Sequence, residues 1–150
     1  MQDFRISMHR VAGLMALGIT ALFWLGTVFT LGFGGEAVVA GMKLTVLYGI
    51  VFQLTALLVA GLSGRLLAIN RLREPMVARK LKRMLAAGAI SFVVLLPSAV
   101  YLALKIQGGV PDSPWKLAQA AELVAGAAVI ILLALNARDG MALHREKLHS

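Results

Sequence analysis

The chain has 150 residues, enough for one domain, and 59% of them are apolar while 15% are charged. A soluble domain has roughly 45–50% apolar and about 25% charged residues, so this composition excludes a disordered chain and disfavours a soluble globule. The absence of cysteine excludes disulfides, zinc–thiolate sites, iron–sulfur clusters and cysteine nucleophiles. A net charge of +8 would suggest nucleic acid as the partner of a soluble protein. Here the charges lie between long apolar runs, which predicts a membrane protein with no nucleic-acid partner.

Four apolar runs organise residues 1–150 as a single membrane domain. They cover 11–33, 44–69, 84–104 and 117–137. A helix of ~20 apolar residues crosses ~30 Å of hydrocarbon, and the runs lack the alternation that is typical of transmembrane strands. The first run is too long for a signal peptide, so we expect it to be retained. Because the connections are short, the sequence predicts an all-α, four-helix membrane bundle with antiparallel, up-down topology.

The positions of Lys and Arg predict the orientation of the bundle. The connection 70–83 has one acidic residue and six basic ones: Arg71, Arg73, Arg79, Lys80, Lys82 and Arg83. Basic connections stay in the cytoplasm, so we expect this connection and both tails (1–10 and 138–150) there, in a bacterial-type inner membrane. We also expect the 70–83 segment to contact anionic lipids, with docking of an acidic soluble protein as the alternative. Three aromatic residues near the opposite boundary predict an outer aromatic belt: Tyr48, Tyr101 and Trp115.

Polar residues near the cytoplasmic boundary predict a contact between the second and fourth helices. Arg65 lies four residues before the end of the second run, where its side chain can reach the boundary. The fourth helix ends with Asn136, Arg138 and Asp139 before a helix-stopping glycine. A carboxylate at the negative end of a helix dipole needs a cation. We therefore expect Arg65 or Arg138 to pair with Asp139; the alternative for Arg65 is simple anchoring at the interface.

Polar residues in the outer half of the spans predict either interhelical hydrogen bonds or a small pocket. Glu122 has Gln119 one turn away on the same helix face, and three cations at the outer rim could pair with it: Lys43, Lys105 and Lys116. Pro97 cannot donate to the carbonyl of Val93 and should kink the third helix, and Gln53 could donate to that carbonyl instead. The pocket would suit a quinone head group or a small polar ligand. Its expected lining is Gln53, Pro97, Ser98, Gln119 and Glu122.

The three histidines limit the predicted cofactors. His9 precedes the first run, and His144 and His149 follow the fourth, so none lies inside a predicted span. Both chain ends lie on one side of the membrane, and His9 with His144 could form an interfacial pair that binds haem b; the alternative is that they are solvated tail residues. The sequence contains no HExxH, GxSxG, P-loop or dinucleotide-binding motif.

Four stretches together resemble a family of small four-span bacterial transmembrane proteins of uncharacterised function. They are HRVAG at 9–13, FWLGT at 23–27, QAAELVAGA at 119–127 and LNARDG at 135–140. The resemblance covers nearly the whole chain and implies four spans without assigning an activity. More loosely, the first helix, with its leading histidine and its Trp-Leu-Gly, is similar to four-span haem-associated families of the membrane protoporphyrinogen oxidase and copper-resistance types. That similarity implies His9 as a haem ligand.

The sequence therefore predicts a small inner-membrane protein that acts as an integral subunit or partner of membrane complexes, without catalysis of its own. Its partner would be another membrane protein or a second copy. Small residues recur every fourth position at Ala56, Ala60 and Gly64, and we expect this stripe to pack helices closely, with a specific dimer face as the alternative. Two alternatives stay open. One is a redox membrane protein with haem b near the cytoplasmic face or a quinone in the outer half; the other is a small-solute or proton-linked transporter that works as an oligomer.

Overall fold

The structure, a computed structural model, confirms the all-α four-helix bundle. It describes residues 2–69, 73–109 and 111–148, with side chains described between Phe4 and Met141 of these ranges. The four helices are α1 (Gln2–Phe33), α2 (Glu36–Ala68), α3 (Pro75–Gln107) and α4 (Ser113–Leu148).

All four helices are long and apolar enough to cross a membrane. Large apolar side chains such as Leu22, Phe52 and Leu85 cover the outside of the bundle, where each is at least 70% exposed. Inside the bundle, alanines and other small residues are buried together with Lys43, Gln53 and several further polar side chains. The core also contains larger apolar residues such as Ile50, Leu102 and Val129. An apolar outer surface around a core of small, apolar and some polar residues is typical of a multi-pass membrane protein.

The helices stand at the corners of a square in chain order. α1 and α3 each pack on both α2 and α4, so α1 and α3 lie across one diagonal and α2 and α4 lie across the other. Consecutive helices are antiparallel. We call the end of the bundle where α1 begins and α4 ends the terminal end, and the end with connections 34–35 and 108–112 the loop end.

The helix α3 begins earlier than the apolar run that predicted it. Pro75 occupies its first turn, where its missing N–H costs nothing, and Glu74 precedes it in an extended conformation. The segment 70–83 between the apolar runs is therefore helical over 75–83, where it forms two and a half turns. As a consequence, Arg79 and Arg83 are held on a helix that faces α4, where they can contact its side chains.

Glycines on one helix receive large side chains from the other across the α1–α2 interface. An ideal Cβ built on Gly64 would lie 2.8 Å from Cε1 of His9, and one on Gly26 would lie 2.7 Å from Cε of Met42. Real Cβ atoms do not approach this closely, so a side chain at Gly64 would have to displace the His9 ring, and one at Gly26 would have to displace the flexible end of Met42. The predicted stripe on α2 is thus confirmed as a packing surface, with Ala56 and Ala60 both buried.

A π-helical turn, Ser91–Leu95, interrupts α3 just before Pro97. The N–H of Leu96 donates to the carbonyl of Ser91, five residues back. A wider turn of this kind accommodates the hydrogen bond that Pro97 cannot make. The prediction that Gln53 compensates for it is wrong, because the side-chain nitrogen of Gln53 is buried with no hydrogen-bond partner among the described residues.

Trp115 does not belong to a surface aromatic belt. Its side chain is only 4% exposed, and its indole N–H donates to the carbonyl of Leu102 at 3.2 Å. Tyr48 and Tyr101 are exposed, as a belt requires. The prediction is therefore wrong for Trp115, which instead joins the start of α4 to the end of α3.

Candidate functional site: a buried ion pair beside a central cavity

The strongest concentration of buried polar groups is an ion pair between diagonally opposite helices. Nζ of Lys43, near the start of α2, donates to Oε2 of Glu122, near the start of α4. The side chains are 1% and 9% exposed. Of the three predicted cations, the structure selects Lys43, because its long side chain crosses the middle of the bundle. In this interior a carboxylate and an ammonium each need a partner, so the pair also fixes α2 relative to α4.

Only one of the two carboxylate oxygens of Glu122 accepts hydrogen bonds from the described residues. Nε2 of Gln119, one turn earlier, also donates to Oε2 at 2.9 Å. Oε1 of Glu122 is buried and has no hydrogen-bond partner among the described residues, and neither has Oε1 of Gln119. The predicted neighbours Gln119 and Glu122 are therefore brought together, but half of the carboxylate remains available for another donor.

A cavity of about 40 Å³ lies beside this carboxylate, at the centre of the bundle. Its wall contains Glu122 and Gln53, as predicted, but not Pro97, Ser98 or Gln119. Small-molecule sites have volumes of roughly 300–1,000 Å³, whereas one water needs about 10–15 Å³. As the helices stand, the cavity has room for water molecules and not for a quinone head group.

Two threonines on α1 complete the polar part of the cavity wall, and the sequence analysis did not single them out. Thr20 and Thr27 are both 3% exposed and line the cavity. The hydroxyl of Thr20 donates to the carbonyl of Ala16 at 2.7 Å, so its lone pairs stay available. A signal existed in the sequence: Thr20, Trp24 and Thr27 are spaced four and three apart, which places them on one helix face.

Trp24 closes the cavity between α1 and α4. Its indole N–H donates to the carbonyl of Leu123 at 2.9 Å. The ring lies against Gly126, where an ideal Cβ would be 2.9 Å from Cδ1 of Trp24. The absence of a side chain at Gly126 therefore allows Trp24 to reach the backbone of α4.

A second polar cluster fixes α3 to α4 at the terminal end. Nη1 of Arg83 contacts Oδ2 of Asp139 at 2.8 Å, and Nη2 of Arg79 lies 3.5 Å from the same oxygen. Nε of Arg138 is 3.6 Å from Oδ1. Arg65 is not among these partners within the described part of the chain. Of the two predicted partners of Asp139, Arg138 is therefore confirmed and Arg65 is wrong. The predicted contact between the second and fourth helices is wrong with Arg65, since α3 extends far enough to bring Arg83 to Asp139.

Asn136 adds a second link between the same two helices. Its side-chain nitrogen donates to the carbonyl of Lys80 at 3.1 Å. Of the polar residues predicted near the end of the fourth helix, Asn136 and Asp139 thus connect α4 to α3 rather than to α2, and Arg138 contacts Asp139 on its own helix.

His9 packs against α2 near the terminal end. Its Nδ1 lies 2.9 Å from the carbonyl oxygen of Ala60 and 3.3 Å from the hydroxyl of Ser63. A carbonyl only accepts, so Nδ1 carries the proton and Nε2 of a neutral ring does not. The side chain of His144 lies outside the described residues, so the predicted pairing of the two histidines is not described.

Asp112 organises the loop end by capping α4. Its Oδ1 accepts from the backbone N–H of Trp115 at 2.9 Å, and its Oδ2 lies 2.9 Å from Nζ of Lys105. These contacts, with the Lys105 ammonium first and the Trp115 N–H second, hold the pKa of the Asp112 carboxyl below its usual value.

Comparisons of the chain with models of protein families, with curated proteins and with solved structures find no match. Within the described ranges, no group of three or more His, Asp or Glu side chains is arranged to hold a metal ion.

Proposed function

We propose that this chain is a small polytopic protein of a bacterial-type inner membrane that acts as an integral partner of another membrane protein, without catalysis of its own. The observation that carries the proposal is the exposure of α1. Only 17% of the residues in its most apolar stretch are buried in the bundle, against 33%, 28% and 33% for α2, α3 and α4. The four helices have similar mean hydropathy, so α1 is as apolar as the others while a smaller share of its residues is buried.

A shallow groove between α1 and α4 forms part of this exposed apolar surface. It has a volume of about 280 Å³ and is lined by apolar residues together with the Trp24 ring: Ala21, Trp24, Leu25, Ala127, Ile130 and Ile131. Transmembrane helices associate mainly through close packing, which needs small residues and recesses of this kind. The occupant we propose is therefore an apolar transmembrane helix of the partner protein.

The charges support an orientation with both termini in the cytoplasm. Arg79 and Arg138 are 56% and 70% exposed at the terminal end, and one carboxylate, that of Asp139, faces three guanidinium groups there. The excess of positive charge favours the cytoplasmic side. It also favours contact of residues 70–83 with anionic lipids.

A photo-crosslinking experiment tests the proposed partner surface. The photoreactive amino acid benzoylphenylalanine would replace Leu25, which lies in the groove and is 58% exposed, in cells that express the full chain. The matched control places it at Val93 of α3, which is 72% exposed and lies across the bundle from α1.

We expect one discrete protein adduct from position 25 and none from position 93. The mass of the adduct distinguishes a different subunit from a second copy of this chain. Equal labelling at both positions, or adducts with lipid alone, would contradict the proposal.

One observation favours a second candidate, a redox protein that binds haem b at the terminal end. A histidine that ligates a metal commonly donates its other ring N–H to a carbonyl, and Nδ1 of His9 makes this bond to Ala60. Nε2 would then be the ligating nitrogen. An absorption spectrum of the purified protein, before and after dithionite, tests it: a Soret band lost in His9→Phe supports the candidate, and a flat visible spectrum of folded protein removes it.

A further inference from the structure

The central cavity contains polar atoms of complementary character that lack partners. Oε1 of Glu122 can only accept a hydrogen bond when the carboxylate is ionised, and Nε2 of Gln53 can only donate. The residues that carry these atoms are 8% and 3% exposed, and both line the cavity. Thr27 also lines the cavity, and a hydroxyl can both donate and accept. A buried polar group without a partner is costly, so two or more such groups around one space indicate an occupant.

The size and charge of the cavity define the occupant. The volume of about 40 Å³ admits about two or three water molecules and excludes larger polar ligands. The Lys43 ammonium already neutralises Glu122, so a second cation would be repelled by Lys43 and an anion by the carboxylate. Water donates to Oε1 of Glu122 and accepts from Nε2 of Gln53, and it is neutral.

The ion pair itself gives an independent reason for water at this position. Moving two charges out of water is compensated only if further hydrogen bonds satisfy their remaining lone pairs. Oε2 of Glu122 has two donors, Lys43 and Gln119, while Oε1 has none among the described residues. Glu122 lines the cavity, which is the free space that the structure places beside its carboxylate.

We propose that the central cavity is a water-binding site in which water bridges Gln53 and Glu122, so that Lys43 and Glu122 form a hydrated ion pair in the interior of the bundle. The site lies at the centre of the bundle, away from the exposed surface of α1, and it does not depend on the proposed partner. Trp24 separates it from the groove between α1 and α4.

Infrared spectroscopy of the full chain in lipid vesicles tests the site. Strongly hydrogen-bonded internal water gives O–H stretching bands that shift when H₂¹⁸O replaces H₂¹⁶O. We expect such bands in the natural sequence, and we expect their loss or weakening in Gln53→Met, which removes the donor. Gln107→Met is the matched control, because Gln107 is exposed and bonds only to its own helix. The isotope-sensitive bands of Gln107→Met should be the same as those of the natural sequence.

A second variant keeps the test decisive if Gln53→Met fails to fold. Thr27→Val conserves side-chain shape and removes only the hydroxyl. In a hydrated cavity, it should alter the isotope-sensitive bands and lower the melting temperature; Thr55→Val, at an exposed position on α2, should do neither. A dry cavity would instead show no isotope-sensitive band, a melting temperature raised by Thr27→Val, and binding of xenon, as apolar cavities do. Those results would overturn the proposal.

Discussion

The tip of the Phe23 ring lies in the space that a side chain on Gly49 would need. An ideal Cβ at Gly49 would be 2.1 Å from Cζ of Phe23, far closer than two carbon atoms can approach. The same arrangement recurs at Gly26 and Gly64, so the α1–α2 interface is built by inserting a large side chain opposite a glycine. A glycine opposite a large side chain lets the two helix backbones approach closely. The van der Waals contacts formed by this close packing are a main source of attraction between helices in lipid.

Replacing Gly49 by alanine should destabilise the bundle. The new methyl group would force Phe23 to move, and overpacking of this kind costs about 1–3 kcal/mol. Thermal unfolding in mild detergent measures the effect. Gly61→Ala is the matched control on the same helix, since a Cβ there meets nothing within 4 Å, and the better helix propensity of alanine should make it neutral or slightly stabilising. Equal destabilisation by both variants would contradict the packing argument.

The Lys43–Glu122 pair should show strong coupling in a double-mutant cycle. Lys43→Met leaves the Glu122 carboxylate buried without its cation, and breaking a buried pair from one side costs about 3–5 kcal/mol. Adding Glu122→Gln removes the uncompensated charge, so the double variant should be less destabilised than the sum of the two single variants. Lys105→Met provides the comparison, because its pair with Asp112 is about half exposed; its effect should be much smaller. Additive effects at 43 and 122 would argue against a direct interaction.

The cluster at the terminal end predicts which arginine is coupled to Asp139. Arg83→Met and Asp139→Asn should be non-additive in unfolding free energy, with a coupling of at least ~0.5 kcal/mol, because the two side chains are in contact at 2.8 Å. Arg65→Met and Asp139→Asn should be additive. The opposite pattern would mean that α2 rather than α3 is fixed to the end of α4.

Asp112 should make stability depend on pH under acidic conditions. Its pKa is lower in the folded protein, because Lys105 and the N–H of Trp115 stabilise the carboxylate. The stabilisation is therefore complete above the unfolded-state pKa of 3.8 and is lost as the pH falls below it through the folded-state value. Melting temperatures measured from pH 6 downwards should fall less steeply in Asp112→Asn, which keeps a capping side chain without the charge, than in the natural sequence. An identical slope in both proteins would remove Asp112 as the cause.

The number of helices and their alternating direction could be predicted because both follow from the order of the apolar runs along the chain, whereas the helices extend beyond those runs. The depth of a residue along the bundle also follows from its position in the chain. The depths predicted for Glu122 and Gln53 therefore agree with the cavity that both residues line. The partner of Glu122 could not be chosen, since Lys43, Lys105 and Lys116 all lie near the same end. That choice depends on the rotation of each helix about its axis, which only the packed bundle defines.

The wrong prediction that Arg65 pairs with Asp139 has a related cause. The apolar run of the third helix begins at residue 84, but the helix begins at Pro75, and the charged turns between them are what bring Arg83 to α4. Hydropathy marks the part of a helix that suits lipid and not where the hydrogen-bonded backbone begins. The prediction for Trp115 is wrong for a similar reason. Its position along the chain agrees with the membrane boundary, but its side chain is buried inside the bundle.

The π turn at Ser91–Leu95 resets the angular phase of α3. In an α-helix each residue advances by about 100°, so positions 87 and 99 should point about 120° apart. Yet Ala87, Ser91, Leu95 and Ala99 are all buried, because the slower winding of the π turn keeps every fourth residue on one side. A helical wheel drawn without this turn assigns residues 96–107 to the wrong face. Deleting one residue from 91–95 would let α3 continue as a regular α-helix: Ala87 and Ala99 would then be eleven steps apart, which is about 20° in direction, so Ala99 would still face the bundle axis.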